Sequence, residues 1–154
     1  MAVVQIQMNK PEQAKRLALF NLGFRPFFLG AAIFAVLSIA SWIAISTSHH
    51  HMQISGILPS QWHAHEMLYG YGIAVVAGFL LTAVKNWTGV QTLHGKPLLA
   101  IFALWCAARL LLLFGTAFLL WAALADLLFG LLLIAAITLP ILRARQWQQL
   151  GIVT

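Results

Sequence analysis

The sequence predicts an all-α protein, a polytopic transmembrane bundle of four helices with both termini in the cytoplasm. Of its 154 residues, 62% are apolar and only 8% are charged, and the mean hydropathy is +0.90. A soluble domain carries about 25% charged residues, so this composition cannot coat a water-facing surface. The apolar residues fall into four long runs, and the basic residues collect at the ends of those runs.

The same composition excludes several classes of protein. The chain is too apolar for a soluble enzyme or a disordered tail, and its single cysteine, Cys106, cannot form an internal disulfide. The net charge of +6 does not indicate a nucleic-acid binder, because the basic residues form no stripe along one exposed face. We therefore expect one transmembrane domain over 1–154, with the lipid bilayer as its partner and no nucleic acid.

Four runs meet the length of about 20 mostly apolar residues that a membrane-spanning helix needs. They cover residues 26–45, 62–84, 97–114 and 116–141. The first begins at Pro26, a position where the start of a helix tolerates proline, and Pro140 is expected to mark the end of the fourth. Because only Gly115 and Thr116 separate the last two runs, these should form a tight antiparallel hairpin.

The positions of lysine and arginine predict the orientation. Apart from Arg109, they lie in or next to the N-terminal arm, between the second and third runs, and in the tail, whereas the other two connections contain none. The positive-inside rule then makes 1–24 a cytoplasmic arm and 142–154 a cytoplasmic tail. A cleavable signal peptide is the competing interpretation of the first run, although its apolar core exceeds the usual length of about 7–15 residues.

Histidines concentrate at the predicted outer end of the bundle. His63 and His65 stand in the first turn of the second run, and the connection before it contains His49, His50 and His51. Imidazole is the commonest metal ligand and also binds haem iron axially. Side chains two residues apart point about 200° apart on a regular helix, so His63 and His65 cannot clamp one ion together. They suit two centres, or one ligand and one supporting group.

A structural interpretation of these residues is also open. Histidines near a helix end can lie in the interfacial water layer, within an aromatic belt that would include Trp62 and Tyr69. However, His63, Glu66 and Gly70 share a helix face with small residues that permit close packing. We therefore expect His63 and Glu66 to point into the bundle.

Arg109 and Asp126 are ionisable residues within the predicted hydrocarbon core, where such groups are functional candidates. Counted from Gly115, Arg109 lies about 9 Å and Asp126 about 16 Å below the outer turn. Glu66, at about 6 Å, is the better match in height for Arg109, and Asp126 is a second candidate partner. Arg109 could instead hold a haem propionate or snorkel to the headgroups. Cys106 is expected to be a packing residue.

Four motifs in order give the chain a family resemblance. They are Gly-Phe-Arg-Pro-Phe-Phe at 23–28, Trp-His-Ala-His-Glu-Met at 62–67, Gly-Phe-Leu-Leu-Thr-Ala-Val at 78–84 and Asn-Trp-Thr-Gly at 86–89. Together they resemble the NnrS family, either its N-terminal portion or a short member. The resemblance implies a bacterial inner-membrane protein that binds b-type haem and copper and is linked to the nitric-oxide response and denitrification.

The resemblance and the residue chemistry together define the candidate site. The expected cofactor-binding residues are His63, His65 and Arg109. The expected metal ligands are His63, His65, Met67, His50 and His51, with Glu66 and Asp126 in support.

Two other functions are open at this stage. The protein could be a cofactor-free transport or assembly subunit in which Glu66, Arg109 and Asp126 form a polar pathway. It could also be a scaffold whose small-residue faces bind other membrane subunits or a second copy of the chain.

Overall fold

The computed structural model describes residues 18–47 and 57–145, and this part of the chain contains four long helices and no strand. The helices are α1 (Phe24–Thr47), α2 (Pro59–Thr88), α3 (Lys96–Leu113) and α4 (Leu119–Arg143). Each is long and apolar enough to cross a membrane. The all-α fold and the four spans are therefore confirmed, and the ends of the helices differ from the predicted ends by a few residues. The cytoplasmic placement of the arm and the tail stays a prediction.

Helix α2 is the centre of the bundle. It is the most buried of the four helices, and it packs against each of the other three. One face carries Ala74, Ala77 and Leu81, none of which has exposed surface. The two alanines have small side chains, which let a neighbouring helix approach closely. The core continues through Phe27 of α1 and Phe129 of α4, whose ring centroids are 5.8 Å apart.

The close packing of α1 on α2 depends on two glycines. A Cβ atom built on Gly23 would lie 2.5 Å from the Cβ of Leu81, and one built on Gly78 would lie 3.2 Å from the Cβ of Phe27. Two of the sequence motifs, 23–28 and 78–84, are therefore the two sides of one helix contact. Their glycines provide the room that this contact requires.

Helices α3 and α4 form the predicted hairpin. Gly115 adopts φ +100°, which a side chain would strain, and the 3₁₀ turn Thr116–Phe118 leads into α4. The expectation that Pro140 ends the fourth helix is wrong, since α4 continues to Arg143. A proline lacks its own N–H donor, but its carbonyl remains an acceptor, and the carbonyl of Pro140 accepts a hydrogen bond from the N–H of Ala144 at 3.0 Å.

The substitution Gly23→Ala should destabilise the bundle. Its methyl group would collide with the Cβ of Leu81, which cannot move without the backbone of α2. We expect a loss of about 1–3 kcal/mol in the free energy of unfolding in detergent. Gly130→Ala is the matched control, because no atom lies within 4 Å of a Cβ built there. Equal stability of the two variants would contradict this packing.

The orientation can be tested by thiol labelling in intact cells. In a Cys106→Ala background, Ser60→Cys probes the start of α2 and Gln91→Cys probes the connection from α2 to α3; both positions are exposed. A membrane-impermeant maleimide should label the first variant and spare the second until the membrane is permeabilised. The opposite pattern would reverse the predicted topology.

Candidate functional site

Helix α2 widens just below its outer end, the end of the bundle that contains Pro59 and Gly115. Residues Glu66–Gly72 form a π-helical segment. The N–H of Glu66 still bonds to the carbonyl of Trp62, whereas the N–H of Ile73 bonds to the carbonyl of Leu68, five residues back. π-Helical turns are rare and occur frequently at functional sites. The sequence predicted a regular helix here, since the apolar pattern contains no sign of the wider turn.

The π segment is held by α1 and α3. The indole Nε1 of Trp105 on α3 donates a hydrogen bond to the carbonyl of Gly70 at 3.0 Å. The ring of Phe34 on α1 fills the space that a side chain at Gly70 would need, and a Cβ built there would also lie 2.7 Å from Oε2 of Glu66. Gly70 therefore lets both neighbouring helices approach the segment that begins with Glu66.

Three charged side chains from three helices meet beside this segment. Arg109 on α3 donates from Nη1 to Oε2 of Glu66 on α2 at 3.0 Å, and from Nη2 to Oδ1 of Asp126 on α4. The side chains of Glu66, Arg109 and Asp126 are 1%, 6% and 9% exposed. The predicted pairing of Arg109 with Glu66 is confirmed, and the second candidate partner, Asp126, is bound as well. Arg109 therefore does not snorkel to the headgroups.

His65 lies between the two carboxylates. Its Nδ1 is 3.4 Å from Oε1 of Glu66, and its Nε2 is 3.6 Å from Oδ2 of Asp126. The ring stacks on Tyr69 with centroids 4.8 Å apart, and 31% of the side chain is exposed. Glu66, Arg109, Asp126 and His65 form an ion cluster in which two carboxylates face a single guanidinium and one imidazole. Because charge is costly at low dielectric, the second carboxylate favours a proton or another cation nearby.

His63 faces a different neighbour. Its ring stacks on Trp42 of α1, with centroids 4.6 Å apart and planes 22° apart. Its Nδ1 is buried and has no hydrogen-bond partner among the described residues. The two imidazoles therefore point to different helices, as a regular helical turn at 62–65 predicts, and they form no chelate together.

The aromatic-belt interpretation is wrong for Trp62. This side chain is 3% exposed and packs against Leu112 of α3 and Ala122 of α4, inside the outer end of the bundle. Tyr69 is 45% exposed and remains compatible with a lipid-facing position. The outer end is therefore a packed structure that fixes the first turn of α2.

The remaining candidates contribute less to the described geometry. Met67 and Cys106 are partly buried, and His50 and His51 lie outside the described residues, as does His49. Within the ranges 18–47 and 57–145, no group of three or more His, Cys, Asp or Glu side chains is arranged to hold a metal ion. The histidine loop therefore stays a prediction.

Sequence reasoning missed two contacts of the site. One is the approach of His65 to Asp126, and the other is the stacking of His63 on Trp42. Both join residues of different helices, and no spacing along the chain reports them. The sequence contains a weak indication that Trp105 belongs to the site, because this residue follows the main motifs of the family resemblance. Its hydrogen bond to the carbonyl of Gly70 was not predictable, since it depends on the π segment.

Replacing Arg109 should strongly destabilise the protein. In Arg109→Leu, Glu66 and Asp126 would face each other in the core without a cation, which costs about 3–5 kcal/mol in the free energy of unfolding. Arg109→Lys retains the charge but has no planar fork to bridge both carboxylates, so its loss should be smaller. Chemical denaturation in detergent measures both variants. A change below about 1 kcal/mol for Arg109→Leu would show that the cluster is not needed for stability.

Comparison with known proteins gives one match. No curated protein and no solved structure matches the chain. The family described as NnrS protein matches residues 18–154, which include all four helices and every residue of the ion cluster. This chain belongs to the NnrS family.

Proposed function

We propose that the protein binds haem or copper at the outer end of its bundle, in the inner membrane of a bacterium, and acts in the nitric-oxide response. Membership of the NnrS family supports the physiological role, and the four apolar helices support a membrane location. The observation that carries cofactor binding is the pair of buried carboxylates that share one guanidinium, next to two imidazoles on the same turn of α2. A bound metal cation would offset the charge of the second carboxylate.

His63 is the best candidate for a ligand. Its imidazole has a nitrogen without a partner among the described residues, on a ring held against Trp42, and would hold haem iron as a single ligand. A two-histidine copper clamp has less support, because His65 points to a different helix. Both nitrogens of His65 face carboxylates, so its role in the proposal is to balance charge. It could bind a metal only after one of these contacts opened.

Arg109 supports the site through the carboxylates. Two of its five N–H donors bind Glu66 and Asp126, and Nε, which is buried and has no partner within the described chain, is a further donor that would be available to a haem propionate. When bound, haem iron or copper would supply a redox-active centre that takes nitric oxide as a ligand. The protein would hold this centre and set its charge through Glu66, Asp126 and His65.

The alternative function, a polar pathway for an ion or a proton, has less support. Below the cluster the described core consists mainly of apolar side chains such as Phe27, Leu81 and Phe129, and the hydroxyl of the buried Thr92 is bound to the carbonyl of Leu81. A pathway needs polar side chains or water through both halves of the membrane. The other charged residues within the described helices lie at the opposite helix ends, and they are Arg25, Lys85, Lys96 and Arg143. No charged residue of the described helices connects these ends to the cluster, so the cluster resembles a site more than a channel.

Cofactor content tests this proposal directly. The protein is expressed with added haem and copper, purified, and examined by absorption spectroscopy and elemental analysis. We expect a Soret band or bound copper, and its loss in His63→Ala, because the ligand is removed. His94→Ala is the control, since His94 is exposed at the opposite end of the bundle.

Two results would contradict the proposal. The parent protein could lack both the Soret band and copper, or His63→Ala could retain the full cofactor content. The second result would move the ligand to another residue, with His65 and Met67 as the next variants.

A further inference from the structure

A cavity of about 420 Å³ lies between α2 and α4, beside the ion cluster. His65 and Asp126 form its polar end, and its wall consists of apolar side chains that include Leu127 and Ile134. Gly130 lies on the same wall, and no atom stands within 4 Å of a Cβ built there. The volume falls within the range of small-ligand clefts, which is about 300–1,000 Å³.

The cavity opens sideways, toward the lipid. Leu127 and Ile134 are 60% and 49% exposed, although they line the wall, so no other part of the described chain covers this face of α4. A ligand can therefore reach His65 and Asp126 from the hydrocarbon phase without crossing the packed outer end of the bundle.

One atom at the polar end lacks a partner. Oδ1 of Asp126 binds Arg109, whereas Oδ2 is buried and has no hydrogen bond within the described residues. Nε2 of His65 is 3.6 Å away, which is too long for a hydrogen bond. The side chain of Asp126 is 9% exposed, so water in bulk does not satisfy this oxygen either. A buried acceptor without a donor is costly, and a ligand that donates a hydrogen bond would remove that cost.

Depth restricts what the ligand can be. Asp126 is eleven residues beyond Gly115, or about 16 Å along the helix axis. Phosphate headgroups do not reach this level of the membrane, and a charged ligand would not dissolve there. The cavity therefore fits an uncharged molecule that carries a hydrogen-bond donor, such as a hydroxyl group, on an apolar body.

We propose that this cavity binds the ring of a membrane-dissolved hydroquinone. One phenolic O–H donates to Oδ2 of Asp126, the ring lies against Leu127 and the space at Gly130, and the tail leaves through the opening to the lipid. The oxygens of the oxidised quinone can only accept hydrogen bonds, so their lone pairs would face the lone pairs of the carboxylate and repel them. The cavity therefore prefers the reduced form, and this preference does not depend on haem or copper binding.

The test compares the two redox forms of one short-tailed benzoquinone, with the full chain in lipid nanodiscs under anaerobic conditions. Thermophoresis measures the Kd for the hydroquinone and for the quinone. We expect the hydroquinone to bind at least about 10-fold more tightly, because a hydrogen bond to a charged group contributes about 1.5–3 kcal/mol. Equal binding of the two forms, or no binding of either, would overturn the proposal.

Two variants of α4 locate the binding site. Gly130→Leu fills the cavity from a position with free space, and we expect it to abolish hydroquinone binding without unfolding the bundle. Ala135→Leu adds comparable bulk at an exposed position outside the cavity and should bind as the parent does. Unchanged binding in Gly130→Leu would place the ligand elsewhere.

Two other occupants are separate outcomes that count against a hydroquinone. Competition by a diacylglycerol as strong as that by the hydroquinone would show that any hydroxyl lipid suffices. The second outcome has three parts: the parent protein is a dimer, Gly130→Leu is a monomer, and neither binds the hydroquinone. This result would show that a second copy of the chain covers the cavity. Failure of these tests leaves the haem and copper content of the protein unaffected, so the two proposals can fail independently.

Discussion

The bridging of two carboxylates by Arg109 is the interaction on which the outer half of the molecule depends. Charged side chains at this depth are tolerated only when they are paired, because neither lipid nor an apolar core solvates them. Glu66 and Asp126 come from α2 and α4, and Arg109 comes from α3. One guanidinium therefore joins three helices, because its planar fork donates one hydrogen bond to each of the two carboxylates.

The π segment of α2 brings Glu66 and Gly70 to this cluster. A regular helix would rotate the residues after Glu66 further around the axis, whereas the wider turn keeps Glu66, Gly70 and Ala74 buried on one side. The hydrogen bond from Trp105 to the carbonyl of Gly70 then ties the segment to the same helix that carries Arg109. The rare backbone geometry and the ion cluster support each other, and both lie next to the histidines.

The two histidines receive different environments from this arrangement. His65 becomes part of the ion cluster, while His63 lies on the aromatic surface of Trp42 with a nitrogen free of partners among the described residues. This division gives a physical basis for one ligand and one charge-balancing group. It also leaves Asp126, which lines the cavity between α2 and α4, with one oxygen bound to Arg109 and one buried oxygen that has no hydrogen bond among the described residues.

The sequence by itself determined the four apolar spans and the α3–α4 hairpin, and it favoured Glu66 as the partner of Arg109. These depend on local quantities: the length of apolar runs, the residues of a short turn, and height along a helix of known rise. Only the tertiary structure decided the π segment, the inclusion of Asp126 and His65 in the cluster, and the packing of Gly23 on Leu81. Those features depend on the rotation of each helix about its own axis, and contacts between helices set this rotation. A helix that is apolar on all sides shows no hydrophobic periodicity, so its sequence does not reveal which side faces its neighbours.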